Sequence, residues 1–255
     1  MSRARLLSSR RAVLAGALGA GSLVLAGCTK SPPTYGNVLR MGDNFTFEAH
    51  RLLLPHNSLV REYSLQDITA IPATGTSDPS DSKGGAYNPK FGPIYARLKA
   101  DAFTSWRLSV EGAVTRPGEY GLAFLKQLPR QTQITRHTCE EGWTAIAEWT
   151  GTRLSALLAA AGVRANARFV NFETYDMMND SIDMVDAIHP QTLLAYGMNG
   201  GDLPLHHGAP VRLRVERQIG YKSLKFLRRI VVSENFIDPG PTGPIGAGWA
   251  WYNGI

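Results

Sequence analysis

The segment Arg136-His137-Thr138-Cys139-Glu140-Glu141-Gly142-Trp143 gathers a thiol, an imidazole, two carboxylates and an indole within eight residues. Four readings of Cys139 follow from residue types alone. Beside His137 or His207 the thiol can act as a nucleophile for acyl transfer, which needs a base within hydrogen-bond reach. With His137, His206 and His207 it can complete a nitrogen and sulfur ligand set for zinc. As a thiolate it can bind a softer, redox-active transition metal. A buried cysteine that only packs is the fourth reading, since free cysteine is among the most buried residue types.

The elements that must position this segment are legible in part. Alternation over Trp106–Gly112, then the turn residues Arg116-Pro117-Gly118, predicts a strand that ends in a hairpin. Leu122–Leu128 reads as a short helix, and Gln131–His137 as a strand that delivers Cys139 at its end. Leu154, Leu157 and Leu158 at helical spacing predict a helix over Arg153–Ala161, stopped by Gly162. Arg168–Thr174, Val211–Val215 and Leu227–Ser233 read as further strands. Two Gly/Pro-rich stretches, residues 29–40 and 71–92, read as a tether and a long loop, and Phe45–Leu54 fits neither period clearly. Several strands, few long helices and long connections predict an α+β fold in a single compact domain over residues 41–255.

The chain has 255 residues, a formal charge of +6, and only two cysteines, Cys28 and Cys139. Arg3, Arg5, Arg10 and Arg11 precede an uncharged apolar run, Ala12–Ala26, which is too short to span a bilayer comfortably. Residues 1–27 are therefore expected to be a signal peptide. Ser9-Arg10-Arg11-Ala12-Val13-Leu14 resembles the twin-arginine export signal, a route for proteins that fold around a cofactor before export. Leu25-Ala26-Gly27-Cys28 resembles a lipobox, so residues 28–40 are expected to tether a lipidated Cys28 to the folded body. Removing residues 1–27 takes away four arginines and no acid and brings the formal charge to +2. A nearly balanced surface without a basic, aromatic-interleaved stripe excludes nucleic acid as the expected partner. The single remaining thiol, Cys139, has no internal disulfide partner in an oxidising compartment.

Three later blocks narrow the four readings. They are Leu194-Ala195-Tyr196-Gly197-Met198-Asn199-Gly200, then Leu203-Pro204-Leu205-His206-His207-Gly208-Ala209-Pro210-Val211-Arg212-Leu213, then Gly220-Tyr221-Lys222-Ser223-Leu224-Lys225. Together with the cysteine segment, in this order, they resemble the sulfite oxidase superfamily of molybdopterin enzymes. The nearest branch is the bacterial one that contains the protein-methionine-sulfoxide reductase catalytic subunits. The resemblance covers residues 43–235 and implies a mixed-sheet molybdopterin-binding fold with a molybdenum–molybdopterin cofactor. It implies that Cys139 is the protein's sulfur ligand on molybdenum and that Glu141 is an acid near the metal. Cofactor contacts are implied at Thr174, His207, Arg212, Ser223, Leu224 and Lys225, and more weakly at Asn44 within Asp43-Asn44-Phe45-Thr46-Phe47. His206 is expected to be an exposed neighbour, and Trp143, Trp149, Trp249 and Trp251 carry no assigned chemistry.

The resemblance implies an enzyme that reduces an oxidised sulfur or nitrogen substrate, such as a small-molecule or protein sulfoxide. It further implies a monomer in the periplasm or on the outer face of the inner membrane, served by a membrane or periplasmic electron-transfer partner. Membrane attachment is expected only through the lipid on Cys28. Two alternatives stand beside this: a sulfite-oxidising enzyme, and a cofactor-free binding lipoprotein of the same fold.

Overall fold

The computed structural model describes residues 38–70, 77–238 and 249–255. The expected signal peptide, Cys28 and nearly all of the expected tether lie outside these residues. The described residues belong to one unit, Pro32–Ile255, and none of their helices is long and apolar enough to cross a membrane.

Two five-stranded sheets carry the body. The first contains β1 (Arg107–Gly112), β2 (Gly118–Gly121), β5 (Phe169–Thr174), β6 (Asn179–Asp183) and β10 (Leu227–Ser233), in the order β2-β1-β10-β5-β6. The pair β1 and β10 is parallel and the other pairs are antiparallel. In β1, Leu108 and Val110 are buried while Arg107 is exposed, the period-2 pattern expected of a strand with one face on the core. The second sheet contains β3 (Arg130–Thr138), β4 (Thr144–Arg153), β7 (Leu193–Met198), β8 (Gly201–Asp202) and β9 (Arg212–Arg214), in the order β3-β4-β7-β8 with β9 also on β7.

Helices α2 (Gly92–Ala100), α3 (Leu122–Gln127), α4 (Leu154–Ala161) and α5 (Met184–Ala187) are short. In α4, Leu154, Leu157, Leu158 and Ala161 are buried, and Gly162 ends the helix at φ +71°, a conformation a side chain would strain. The main core joins these leucines to Trp106, Leu108, Val110, Phe172, Leu213 and Ile230. The α+β expectation therefore stands, with the mixed sheet it called for.

Helix α1 (Val38–Leu53) occupies the stretch whose period was ambiguous. One face holds it to the body. Phe47 packs against Trp251 and Tyr252 at ring-centroid distances of 4.9 and 5.2 Å. Arg51 reaches Asp183 at 2.8 Å and Asp186 at 3.0 Å. The opposite face gathers Met41, Phe45, Leu52 and Leu53 into one apolar stripe that is exposed, so the helix is amphipathic but meets the body through its more polar side.

The C-terminal residues lie along 217–219, with Ile219 N donating to Asn253 O at 2.9 Å and Ile255 N to Arg217 O at 3.0 Å. Lys222 fastens this arrangement from inside. Its ammonium, with no exposed side-chain surface, donates to Asp180 Oδ1 at 2.7 Å, Ser181 O at 2.8 Å and Trp251 O at 2.7 Å. Removing one partner of a buried pair leaves the other charge without compensation, at about 3–5 kcal/mol. Lys222→Met is therefore expected to lower unfolding free energy by that order in urea titrations. Asp180→Asn in the same chain is expected to recover part of the loss.

Candidate active site

Strands β3 and β4 form a hairpin whose last pair is Thr138 and Thr144, leaving Cys139–Trp143 as its loop. Cys139 N donates to Trp143 O at 2.9 Å and Gly142 N donates to Cys139 O at 3.1 Å. Gly142 supplies the positive φ, +90°, that this tight loop needs. The sulfur therefore sits at the root of the loop, where the strand ladder fixes it, and Cys139 is only 8% exposed. The Glu141 backbone N–H points at Sγ at 3.5 Å. Burial, reinforced by the Glu140 and Glu141 carboxylates, pushes the free thiol up to about 11.

Cys139 lines a cavity of about 300 Å³ between the hairpin, the β5–β6 turn and the loops around β9. His207, Arg212, Ser223, Leu224, Lys225 and Glu141 line the same cavity, so the structure brings together most of the expected site. Glu141 is at the exposed rim, where its Oε2 accepts the Trp143 indole N–H at 2.9 Å. His206 is exposed, as expected, and does not line the cavity.

Two expected contacts are placed elsewhere. Asn44 is on α1, and its Oδ1 accepts the Trp251 indole N–H at 2.8 Å. Thr174 is fully buried at the end of β5, and its hydroxyl bonds Asp176 Oδ1 at 2.5 Å and Met178 O at 2.6 Å. Asp176, for which no role was expected, is the residue of this turn that lines the cavity together with Met178. Thr174 positions it. Burial pushes the Asp176 carboxyl up to about 6. Asp176 lies in a turn where Met177 takes φ +68°, so no periodicity in the sequence marks it.

Arg212 explains the charge of the site. In β9, Arg212 and Arg214 fall on one face and Leu213 on the other, in the core, as strand alternation requires. Arg212 is buried, its Cζ 5.0 Å from the Trp149 ring centroid, and it donates to the carbonyls of His207 at 3.0 Å and Ser223 at 2.8 Å. Lys225 donates to Ser77 Oγ at 3.0 Å and His206 O at 2.8 Å. Among the described residues no carboxylate forms an ion pair with either cation. Burial, then repulsion from Arg214, pulls the Arg212 guanidinium below its ordinary range. Burial and the Arg212 charge bring Lys225 down to about 8. The same causes pull His207 to about 4, so its imidazole is neutral at pH 7.

Buried cations without counter-charges are costly unless an anion joins them. This makes the wall a receptor for a phosphate-bearing group, with Arg212 able to grip phosphate oxygens and Lys225 to act as a point charge. Trp149, whose ring also lines the cavity, has a buried indole N–H with no partner among the described residues. A soft thiol at one side, an orphaned donor in the wall and, beyond it, the buried Arg212 without an ion pair beside Lys225 fit a metal–pterin cofactor with a phosphate tail.

The rival readings of Cys139 fare less well. Among the described residues, no three of His, Cys, Asp and Glu converge as a metal-ligand group, against the zinc reading. The thiol is raised rather than lowered, and the nearby imidazole of His137 has its Nδ1 engaged by Arg214 at 2.6 Å. A nucleophilic cysteine needs the opposite on both counts.

The family model described as the oxidoreductase molybdopterin binding domain matches residues 95–238. A putative protein-methionine-sulfoxide reductase subunit YedZ1 from Azospira oryzae is 37% identical over 150 residues, 59% of this chain and 56% of that protein. The protein-methionine-sulfoxide reductase catalytic subunit MsrP of Burkholderia mallei is 34% identical over 152 residues, 53% of this chain and 45% of that protein. The crystal structure of the sulfane dehydrogenase SoxCD from Paracoccus pantotrophus aligns with TM-score 0.49 and 26% identity, over 52% of this chain and 39% of that one. The chain spans about half the length of the curated relatives it matches. With the family model covering more than half of its residues, including the hairpin, the β9 arginines and the Gly220–Lys225 loop, this chain belongs to the molybdopterin-binding oxidoreductases of the sulfite oxidase superfamily.

Proposed function

We propose that the protein is an exported molybdenum–molybdopterin enzyme in which Cys139 is the protein's sulfur ligand on the metal, and that it reduces an oxidised sulfur or nitrogen substrate such as a sulfoxide. The observation that carries this reading is the meeting of the one described cysteine with Arg212 and Lys225 in a single cavity. The relatives named as methionine-sulfoxide reductase subunits support the substrate class. When bound, the cofactor supplies two-electron oxygen-atom transfer, and the electrons come from a membrane or periplasmic partner. The signal, the lipidated Cys28 and a periplasmic or inner-membrane location belong to the same proposal.

The chain's own residues divide the work. Arg212 and Lys225 hold the phosphate end, and Asp176 faces Lys225 across the cavity wall. Ser223 and Leu224 shape the wall between phosphate and thiol, with Ser223 Oγ accepting the Val215 N–H at 3.1 Å. His207 is a neutral contact for the pterin. Glu141 stands at the rim, held by Trp143, where substrate must pass.

Protein made in a cofactor-competent host is expected to carry about one molybdenum per chain. Cys139→Ser should lose most of it together with dye-linked reduction of a sulfoxide and N-oxide panel. A wild-type sample free of molybdenum and pterin would sink the proposal in favour of a binding lipoprotein. Turnover of sulfite alone would favour the sulfite-oxidising reading.

Lys225 gives a pH signature. Its ammonium loses its proton near pH 8, so inorganic phosphate should bind the cofactor-free protein about tenfold more weakly at pH 9 than at pH 7 in calorimetry. Lys225→Gln should flatten that dependence. Because the folded value is below the ordinary 10.5, the cofactor-free fold should gain stability between about pH 8 and 10.5 while it loses phosphate affinity.

A further inference from the structure

Arg214 shares a strand face with Arg212 but has a different set of partners. It is 1% exposed, and its Nε and Nη2 donate to the two oxygens of Glu216 at 3.0 and 2.7 Å. Gln133 Nε2 adds a bond to Glu216 Oε1 at 3.0 Å, and the Trp149 ring lies 4.4 Å from the guanidinium carbon. The fork is thus fixed on one edge and one face. Its remaining Nη1 lies 2.6 Å from His137 Nδ1.

A guanidinium has only donors, so Nδ1 must present its lone pair. A neutral imidazole so engaged carries its proton on Nε2. That Nε2 has no hydrogen-bond partner among the described residues, and the ring lines the cavity beside Cys139 with Trp143 tilted at 5.6 Å from it. The Nε2 edge lies over Gly220, where a Cβ would come within 2.8 Å. Glycine at this position lets the imidazole edge sit against the Gly220–Lys225 loop.

We propose that Arg214 is a positioning residue that locks His137 as the Nε2–H tautomer, and that this N–H is an uncharged hydrogen-bond donor to the pterin portion of the cofactor beside Cys139. The inference rests on the cofactor reading above. The wall then offers two kinds of donor. Arg212 and Lys225 meet the charged phosphate, while His137 meets an acceptor atom of the uncharged ring system.

The test uses the protein from a cofactor-competent host, labelled with ¹⁵N-histidine. Long-range ¹H–¹⁵N spectra at pH 7 should show the Nε2–H pattern for His137, identified by its absence from His137→Gln. Arg214→Gln should convert that pattern to a mixture of tautomers. In a second measurement, pterin release during dialysis is followed by the fluorescence of its oxidation product. His137→Leu should release pterin about tenfold faster, the worth of one neutral hydrogen bond. His137→Gln, whose amide N–H takes the place of Nε2–H, should stay near wild type, a rescue that a merely structural role for the ring would not give. Both His137 variants leave the Arg214–Glu216 pair in place, so they remain informative if Arg214→Gln fails to fold. An Nδ1–H tautomer in wild type overturns the proposal, as does pterin retention by His137→Leu equal to wild type. A wild-type chain free of molybdenum and pterin overturns the cofactor reading and with it the recipient of the N–H. The Nε2–H signal in that same chain separates this from a failure of the Arg214 lock.

Discussion

The Lys222 ammonium holds together three parts of the chain that are far apart in sequence: β6, the Gly220–Lys222 turn and the C-terminal Trp251. All three of its protons are used on protein acceptors, which is the condition for keeping an ammonium in a place without water. The turn it fixes continues directly into Ser223, Leu224 and Lys225 on the cavity wall. Packing alone specifies such a loop poorly, because glycine and polar side chains bury little apolar area. The directional bonds of one buried charge supply what the core does not.

The same charge explains which elements could be read from the sequence. Strand β10 and helix α4 advertise themselves by apolar periodicity and, for α4, by the glycine stop at Gly162. Strand β6 is Asn-Asp-Ser-Ile-Asp and looks like a turn, yet Asp180, Ser181 and Asp183 are buried. Their polarity is answered by Lys222 and Arg51, partners that only the tertiary structure supplies. Strands β4 and β7 were hidden for a related reason, since Thr, Glu and Gly break up their apolar pattern and a register shift interrupts their pairing at Thr150/Gly151. At the site, ordered blocks of residues located Cys139, His207, Arg212 and Lys225. The separate Asp43–Phe47 resemblance does not say that the Trp251 indole N–H will take the Asn44 side-chain oxygen. Asp176 was invisible because an acid in a turn has no periodic signature.

Arg212 and Arg214 show how one strand can assign opposite fates to identical side chains. Both guanidiniums contact the Trp149 ring, at 5.0 and 4.4 Å. Arg214 is neutralised by Glu216 and becomes part of the framework. Arg212 is satisfied only by neutral carbonyls, so its geometry is settled while its charge is left for a ligand. A preorganised cation of this kind spends folding energy in advance and returns it on binding.

The Cys139–Trp143 loop carries a consequence for the side chains around the sulfur. The sulfur is fixed at the root of the loop by the Cys139 N to Trp143 O bond, both backbone atoms. Side chains at 140, 141 and 143 can therefore change identity without moving Sγ, provided Gly142 keeps its positive φ. Glu140 and Glu141 are exposed. The hairpin thus holds Sγ through main-chain atoms, while the side chains that face the cavity mouth hang from a loop whose backbone does not depend on their identity.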